Sequence, residues 1–278
     1  MKLSTLAPQS LRAFVRRLRF ARRNAGFVPT TVTKSLGGVT FDFRIGDVTG
    51  QEWYAGPVAM SQEMSFLRER MVAPGDVVLE CGAHHGFMTI LIAHWAGPTG
   101  RVTAFEASPA SAAILRENVA LNRLEERITV EAKAVGERTG SLKISDESNS
   151  VPLTGRHQPG VRVPVVPLDN YEGLHPTLIK LDIEGFEIEA LRGATCILGR
   201  RPKLAIEVHV DMLRRYGRRA DEIFDVVRPH DHELWLQLGA DDPPDGASIT
   251  AVVKDHRTSR GRAAERERFR EYVHPAIA

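Results

Sequence analysis

The sequence predicts an α/β fold built on a doubly wound, mostly parallel sheet, and three observations carry that prediction. The first is the run Val77-Val78-Leu79-Glu80-Cys81-Gly82-Ala83-His84-His85-Gly86-Phe87, where an apolar strand turns through two glycines straight into the apolar helical stretch 88–93. A continuous run of this kind suits a parallel strand covered on both faces, and the glycines permit a tight turn and close backbone approach. The second is a further strand, residues 101–105, that ends in Glu106, 26 positions after Glu80. The third is continued alternation of strand and helix patterns with short connections, which places a ligand crevice at the carboxyl ends of the strands.

Composition sets the outer limits. A chain of 278 residues, 42% apolar and 26% charged, holds one large α/β domain with additions. Its apolar stretches are too short to cross a bilayer, and arginines interrupt the apolar residues of the N-terminus, against a signal peptide. Cys81 and Cys196 form no CxxC pair, so the expected setting is a reducing cytoplasm. Charge is unevenly spread. Residues 1–29 carry seven basic and no acidic residues, and residues 254–271 carry seven basic and four acidic. With a net charge of +2, the middle of the chain is therefore about −8. A nucleic-acid enzyme would place its basic footprint around the cleft, so an RNA or DNA substrate is disfavoured.

In chain order, Leu11, Phe14, Val15 and Leu18 recur at helical spacing with arginines on the other faces, describing a basic amphipathic helix over residues 10–23. Such a helix either packs on the protein's own core or makes weak contact with an anionic membrane surface, which would leave the protein peripheral to the inner membrane face. Residues 30–34 and 39–45 alternate in strand fashion around Leu36-Gly37-Gly38, a hairpin. Residues 60–71 read as a helix, ended by Pro74-Gly75-Asp76. After Glu106, Ser108-Pro109 opens a helix with Ala112, Ile114, Leu115, Val119 and Leu121 on its buried side, and residues 128–130 make a third strand. Residues 142–145 and 161–166 suggest a short strand pair around a polar loop rich in glycine, proline and serine, expected to be mobile. Residues 177–182 form a strand followed by a helix through Ala190, Leu191 and Ile197, and residues 203–208 another strand. A helix over 211–227, two edge strands over 233–238 and 249–254, and a charged helix over 262–273 complete the chain. The boundaries read from these patterns are 1–72 for the N-terminal additions, 73–254 for the main domain and 255–278 for the charged tail.

Two stretches carry chemistry. The glycine turn reads ExGAxxG, with His84 where a dinucleotide loop would have its middle glycine. A pyrophosphate must press against bare backbone there, whereas a cofactor without phosphate has no such demand, so S-adenosylmethionine fits better than NAD. Glu106, at the tip of the second strand, is placed to accept hydrogen bonds from ribose. The second stretch ends its strand at Asp182, with Glu184 and Glu187 following at the opening of a helix. Glu207 and His209, two apart, point to one face at the exit of the next strand. Two groups invite a metal reading: Asp182, Glu184, Glu207 and His209, and His230-Asp231-His232-Glu233 after Pro229. The second more simply marks a turn, and no metal is assigned from the sequence.

From about Pro74 to His209 the chain resembles the FkbM-type family of S-adenosylmethionine-dependent methyltransferases. The carriers are Glu80-Cys81-Gly82-Ala83-His84-His85-Gly86, Phe105-Glu106-Ala107-Ser108-Pro109, Ile179-Lys180-Leu181-Asp182-Ile183-Glu184-Gly185-Phe186-Glu187 and Ile206-Glu207-Val208-His209. The family usually has Asp-x-Gly-Ala-Asn-x-Gly in the first motif; here Glu80 replaces the aspartate and His84 the asparagine. The resemblance implies a seven-stranded, Rossmann-like class I methyltransferase sheet and O-methylation of a hydroxyl on a sugar, glycolipid or secondary metabolite. The cofactor is assigned to Glu80, Gly82, Ala83, His84, Gly86, Glu106, Ala107 and Asp182. His209 is the expected base, with Asp182 and Glu184 as orienting or alternative bases. Two other functions stand beside this one: an RNA methyltransferase using the basic arm, and a cofactor-binding protein without catalysis, which His84 alone favours.

Overall fold

The computed structural model describes Leu18, Phe20 and residues 22–145, 150–153, 159–227, 233–238 and 248–254. Alternating residues on either side of Gly37-Gly38 form the hairpin of β1 (Thr30–Leu36) and β2 (Val39–Ile45), paired from Thr30↔Ile45 to Leu36↔Val39. Asp47 caps α1 (Val48–Tyr54), accepting the Gly50 N–H at 2.7 Å. Ser61 caps α2 (Gln62–Phe66), which runs on as a π-helical turn over Leu67–Met71. There follow β3 (Val77–Cys81), α3 (Phe87–Trp95), β4 (Arg101–Phe105), α4 (Pro109–Leu121) and β5 (Ile128–Glu131). A small separate sheet holds β6 (Ala134–Val135), β7 (Gly140–Ile144) and β8 (Val161–Val166). The chain then returns through β9 (Leu178–Leu181), α5 (Glu187–Arg192), α6 (Thr195–Leu198), β10 (Lys203–His209), α7 (Val210–Arg215), α8 (Glu222–Val227), β11 (Glu233–Leu238) and β12 (Ser248–Lys254).

The main sheet has the order β11-β12-β10-β9-β3-β4-β5. Its five neighbours from β10 to β5 are mutually parallel, and β12 is antiparallel to both β10 and β11. Each strand in the parallel region presents apolar side chains to both faces, as buried parallel strands do. On one face Val78, Val102, Leu178 and Ala205 pack beneath Phe41, Phe43, Ile45, Met71 and Ile90. On the other, Leu79, Phe105, Ile179 and Ile206 pack against Ile188, Leu191, Ile197 and Ile223. The N-terminal hairpin thus shares a core with the central strand.

Two asparagines fasten that hairpin down. Asn118 on α4, fully buried, accepts the Arg44 N–H at 2.6 Å and donates to the carbonyls of Arg44 and His85. Asn122, one turn on, makes the same pair of bonds to Asp42. Residues four apart on a helix and two apart on a strand are both about 6 Å apart, so the two amides substitute for a neighbouring strand along the free edge of β2.

Several sequence expectations change. Helix α1 is not legible as a periodic segment, because its apolar residues, Val48, Trp53 and Tyr54, are too few to mark a face. The helix expected over 60–71 begins at Gln62 and loosens into the π-helical turn. The one expected over 211–227 is divided by Gly217 at φ +73° into α7 and α8, and Leu121 is exposed. Most of the basic helix over 10–23, much of the loop between β7 and β8, the His230–His232 group and the tail beyond 254 lie outside the described residues. Among the described residues no helix is long and apolar enough to cross a membrane.

Replacing Asn118 with alanine leaves the half-buried Arg44 N–H and the carbonyls of Arg44 and His85 without this partner. An unsatisfied buried group costs about 1–3 kcal/mol, and of the three only the His85 carbonyl is fully buried, so Asn118→Ala is expected to destabilise the protein by about 2–3 kcal/mol. The check is urea unfolding: the midpoint falls at unchanged slope, and an unmoved midpoint would show that the hairpin is held by apolar packing alone.

Candidate active site

Strand register gathers the charged residues on one face. Glu80 of β3 lies opposite Lys180 of β9 and Ala104 of β4, and Lys180 lies opposite Ala205 of β10. Side chains on one face recur every second residue, so Glu106, Asp182, Glu207 and then His209 project from this same face at the carboxyl ends. There the sheet opens into a cavity of about 290 Å³. Trp53 and Tyr54 of α1, Phe87 and Met88 of α3, and Leu142 and Ile144 of β7 form its walls, and Glu80, Lys180, Glu106, Asp182 and Glu184 line its polar side.

The tips of β3 and β9 nearly touch. A Cβ at Gly82 would stand 1.8 Å from the Asp182 carbonyl oxygen, and φ is +87°, so only glycine serves there. Gly86 has a packing task as well. At φ +89° it starts α3 and leaves room for Leu115, which a Cβ would meet at 2.2 Å; it is not among the cavity's lining residues.

Glu106 is held from both sides. Its Oε2 accepts the His84 N–H and its Oε1 the Ser108 N–H, each at 2.7 Å. Burial pushes its carboxyl up to about 7, with Asp182 adding to the push, although the two backbone donors favour the ionised form. Glu80 is fully buried, and neither of its oxygens has a hydrogen-bond partner. Burial raises its carboxyl too, opposed by the Lys180 charge and by Thr89, whose hydroxyl is near without completing a hydrogen bond. Lys180 is 3% exposed and donates to Asp182 Oδ2 at 3.4 Å, with Glu63 Oε1 at 4.0 Å. Burial opposes its charge, but Asp182, Glu63, Glu80 and Glu207 together outweigh it and hold the ammonium well above the ordinary lysine range.

His84 has φ +50°, a left-handed conformation that asparagine and histidine adopt more readily than most side chains. The exchange of one for the other in this motif therefore keeps the turn. Its Nδ1 is 3.0 Å from the Tyr54 hydroxyl, and its ring stacks on His85 at 4.0 Å. Burial, followed by the neighbouring His85, lowers it to about 3, against the pull of Asp47. It is a neutral wall of the cavity.

His209 sits behind the lining. Its Nδ1 is 3.1 Å from Glu187 Oε1, and its Nε2 is 3.8 Å from Asp182 Oδ1, Glu184 Oε1 and Glu207 Oε1 alike. Burial disfavours the imidazolium, but the Glu187 hydrogen bond and the charges of Glu184 and Asp182 win, pushing the ring up to about 9. An imidazolium has no lone pair to offer, so this environment works against the part of base expected of His209. Sequence reasoning passed over Lys180, Trp53 and Tyr54. The lysine had a signal: a charged residue inside an otherwise apolar strand, in phase with Asp182. The aromatic pair belongs to the unforeseen α1.

A parallel sheet in this order, with buried carboxylates at the tips of its first two strands facing one cavity, defines an α/β protein of the class I methyltransferase type. The profile of the methyltransferase FkbM domain matches residues 80–237, more than half of the chain, and the chain belongs to that family. It is 39% identical over 83 residues to an arsenite methyltransferase of Halobacterium salinarum, a match covering 30% of this chain and 20% of that protein. Among solved structures, a methyltransferase FkbM from Methylobacillus flagellatus is similar with a TM-score of 0.46 and 20% identity, covering 87% of this chain and 59% of that one. An S-adenosylmethionine-dependent O-methyltransferase from Thermotoga maritima has a TM-score of 0.45 and 13% identity, covering 82% and 79%. The chain thus spans about a fifth of the arsenite methyltransferase and under two thirds of the FkbM structure.

Removing the Lys180 ammonium leaves its carboxylate neighbours uncompensated. Breaking one side of a buried ion pair costs about 3–5 kcal/mol, so Lys180→Met is expected to lose that much stability at pH 7.5. Denaturant unfolding measures it, and a loss under about 1 kcal/mol would show that the cluster tolerates its own charge.

Proposed function

We propose that the chain transfers the methyl group of S-adenosylmethionine to a hydroxyl oxygen on a sugar, glycolipid or secondary metabolite. The observation that carries this reading is Glu106, a carboxylate at the tip of the second parallel strand, fixed by two backbone N–H groups and facing the cavity. Each of its oxygens retains a lone pair for a ribose hydroxyl. The cofactor fits the remaining residues. Glu80 brings a buried carboxylate without hydrogen-bond partners to the cavity wall, suited to the ammonium of the methionine portion. Gly82, Ala83 and His84 supply the turn that borders it, and Ala107 and Asp182 complete that side.

The cofactor brings an electrophilic sulfonium methyl, whose C–S electron pair returns to sulfur as the new C–O bond forms. The protein's part is to align the acceptor oxygen, exclude water and take the proton. Asp182 and Glu184, which line the cavity, orient the hydroxyl, and Glu184 accepts its proton. His209 positions both carboxylates from behind. The acidic lining also supports a neutral acceptor over RNA, since a polyanion would meet Asp182, Glu184 and Glu106 at the cleft.

Mass spectrometry of ligand retained on purified protein tests the cofactor directly; a retained nicotinamide dinucleotide would overturn the reading. Calorimetry tests Glu106. Charge-assisted hydrogen bonds contribute about 1.5–3 kcal/mol, so Glu106→Gln should weaken S-adenosylmethionine binding at least about tenfold at pH 8. The pH dependence has a definite sign: with its carboxyl near 7, Glu106 is ionised above that pH and protonated below it. Binding by the unmodified chain should therefore weaken as pH falls from 8 to 6, while the Gln variant stays flat and the gap closes. A constant gap would remove Glu106 from the ribose site. Glu184→Gln should lower turnover at least about a hundredfold with cofactor binding intact, measured as methyl transfer to an identified acceptor; near-normal turnover would clear Glu184 of proton transfer.

A further inference from the structure

We infer that the strand tips bind one divalent metal cation, ligated by Asp182, Glu207 and His209 beside the acceptor hydroxyl. No metal is assigned from the sequence; the geometry adds one. The inference deepens the proposed O-methyl transfer and rests on that reading for the cation's role, though not for its binding.

The arrangement around His209 Nε2 is that of a ligand set around a centre. Ligand atoms of Asp182, Glu207 and His209 all lie within 4.8 Å of one another, and Nε2 is 3.8 Å from Asp182 Oδ1 and from Glu207 Oε1. These separations exceed a hydrogen bond. They match donors sharing a cation, because two bonds of about 2.0–2.4 Å meeting at a wide angle put their outer atoms roughly 3–4 Å apart. The three donors come from the exits of β9 and β10, so the fold fixes their spacing.

The groups behind the ligands are oriented as well. Glu187 holds His209 through Nδ1 at 3.1 Å, which directs Nε2 into the cluster, the support that metal-bound histidines generally have. Lys180 holds Asp182 through Oδ2, which turns Oδ1 toward His209. Glu187 is fully buried; its Oε1 takes both the His209 ring and the Gly185 N–H, while Oε2 has no hydrogen-bond partner. Buried charges are ordinarily paired or engaged with a metal, and here the carboxylates of Asp182, Glu184 and Glu207 all face a single ring nitrogen, His209 Nε2.

Two carboxylates and one imidazole suit magnesium, manganese or zinc, and the metal takes the place of the proton on His209 Nε2, which is released to solvent on binding. A cation there lies at the cavity edge through Asp182, where it would polarise the acceptor hydroxyl and lower its pKa. Glu184 lines the cavity beside it and takes the proton.

The test uses the full chain, stripped with chelator and free of S-adenosylmethionine, titrated with Mn²⁺ and followed by electron paramagnetic resonance and calorimetry. One Mn²⁺ per chain is expected, with a dissociation constant below about 1 mM. Binding should weaken at least about tenfold in Glu207→Gln and in His209→Ala, and about tenfold in Glu187→Gln, which touches the histidine rather than the metal. Circular dichroism confirms that each variant folds. Should one not fold, Mn²⁺ broadening of the His209 ring resonances in the unmodified chain decides the matter. Absence of Mn²⁺ binding, or binding unchanged in both Glu207→Gln and His209→Ala, overturns the site. Cofactor binding is measured separately on the same metal-free chain. Lost Mn²⁺ binding with S-adenosylmethionine still bound overturns the metal alone, and the converse result overturns the methyltransferase reading alone.

Discussion

The buried ammonium of Lys180 is the charge on which the acidic end of the sheet depends. It stands on the strand next to Glu80, and Asp182 and Glu63 are within ion-pair distance. An ammonium with 3% exposure persists only if nearby carboxylates compensate for its lost hydration. The dependence runs both ways, because those carboxylates could not crowd one cavity wall without it. Space matters too: Lys180 is opposite Ala205, and Glu80 opposite Ala104, so the neighbouring strands offer small residues where long charged side chains must lie.

A second constraint joins the N-terminal additions to the chemistry. Asn118 and Asn122 bind the hairpin edge to α4, and Asn118 also holds the His85 carbonyl at the end of the glycine turn. From the hairpin the chain passes directly into α1, whose Tyr54 lies flat on Phe87 and touches His84. One wall of the cavity is therefore built by residues that precede the family's matched region, 80–237. Asp47 contributes at both ends of this link, capping α1 and standing 3.4 Å from His85 Nε2. Substitutions within the hairpin should therefore reach the cavity through packing rather than through contact with a ligand.

The carboxylates divide into two environments. Glu106 and Glu80 are deep, and burial raises both. Asp182, Glu184 and Glu207 lie nearer the opening, partly exposed and grouped around His209, although burial pushes the Glu207 carboxyl up as well, to about 7. The first pair suits a polar cofactor held out of water, and the second group suits an exchangeable acceptor or a cation. One face of one sheet thus presents a binding half and a reacting half, separated by the width of a strand.

Much of this was legible in the sequence. The apolar run into Glu80, the spacing to Glu106, the hairpin around Gly37-Gly38 and the strands ending at Asp182 and His209 follow from local rules: periodicity, glycine punctuation and chain order. Those rules act over a few residues and survive without knowledge of neighbours. Helix α1, the break at Gly217 and the loosening after Phe66 were not legible, because short or irregular helices are set by what they pack against. The site divides in the same way. The sequence by itself determined which residue types stand at each strand tip and which share a face within one strand. Only the tertiary structure decided that Glu80 lies opposite Lys180 and Lys180 opposite Ala205, since register is a relation between strands. A slip of one residue would send Lys180 and Asp182 to the apolar face, so the pairing that gathers five acidic residues, a lysine and a histidine was written in no single segment.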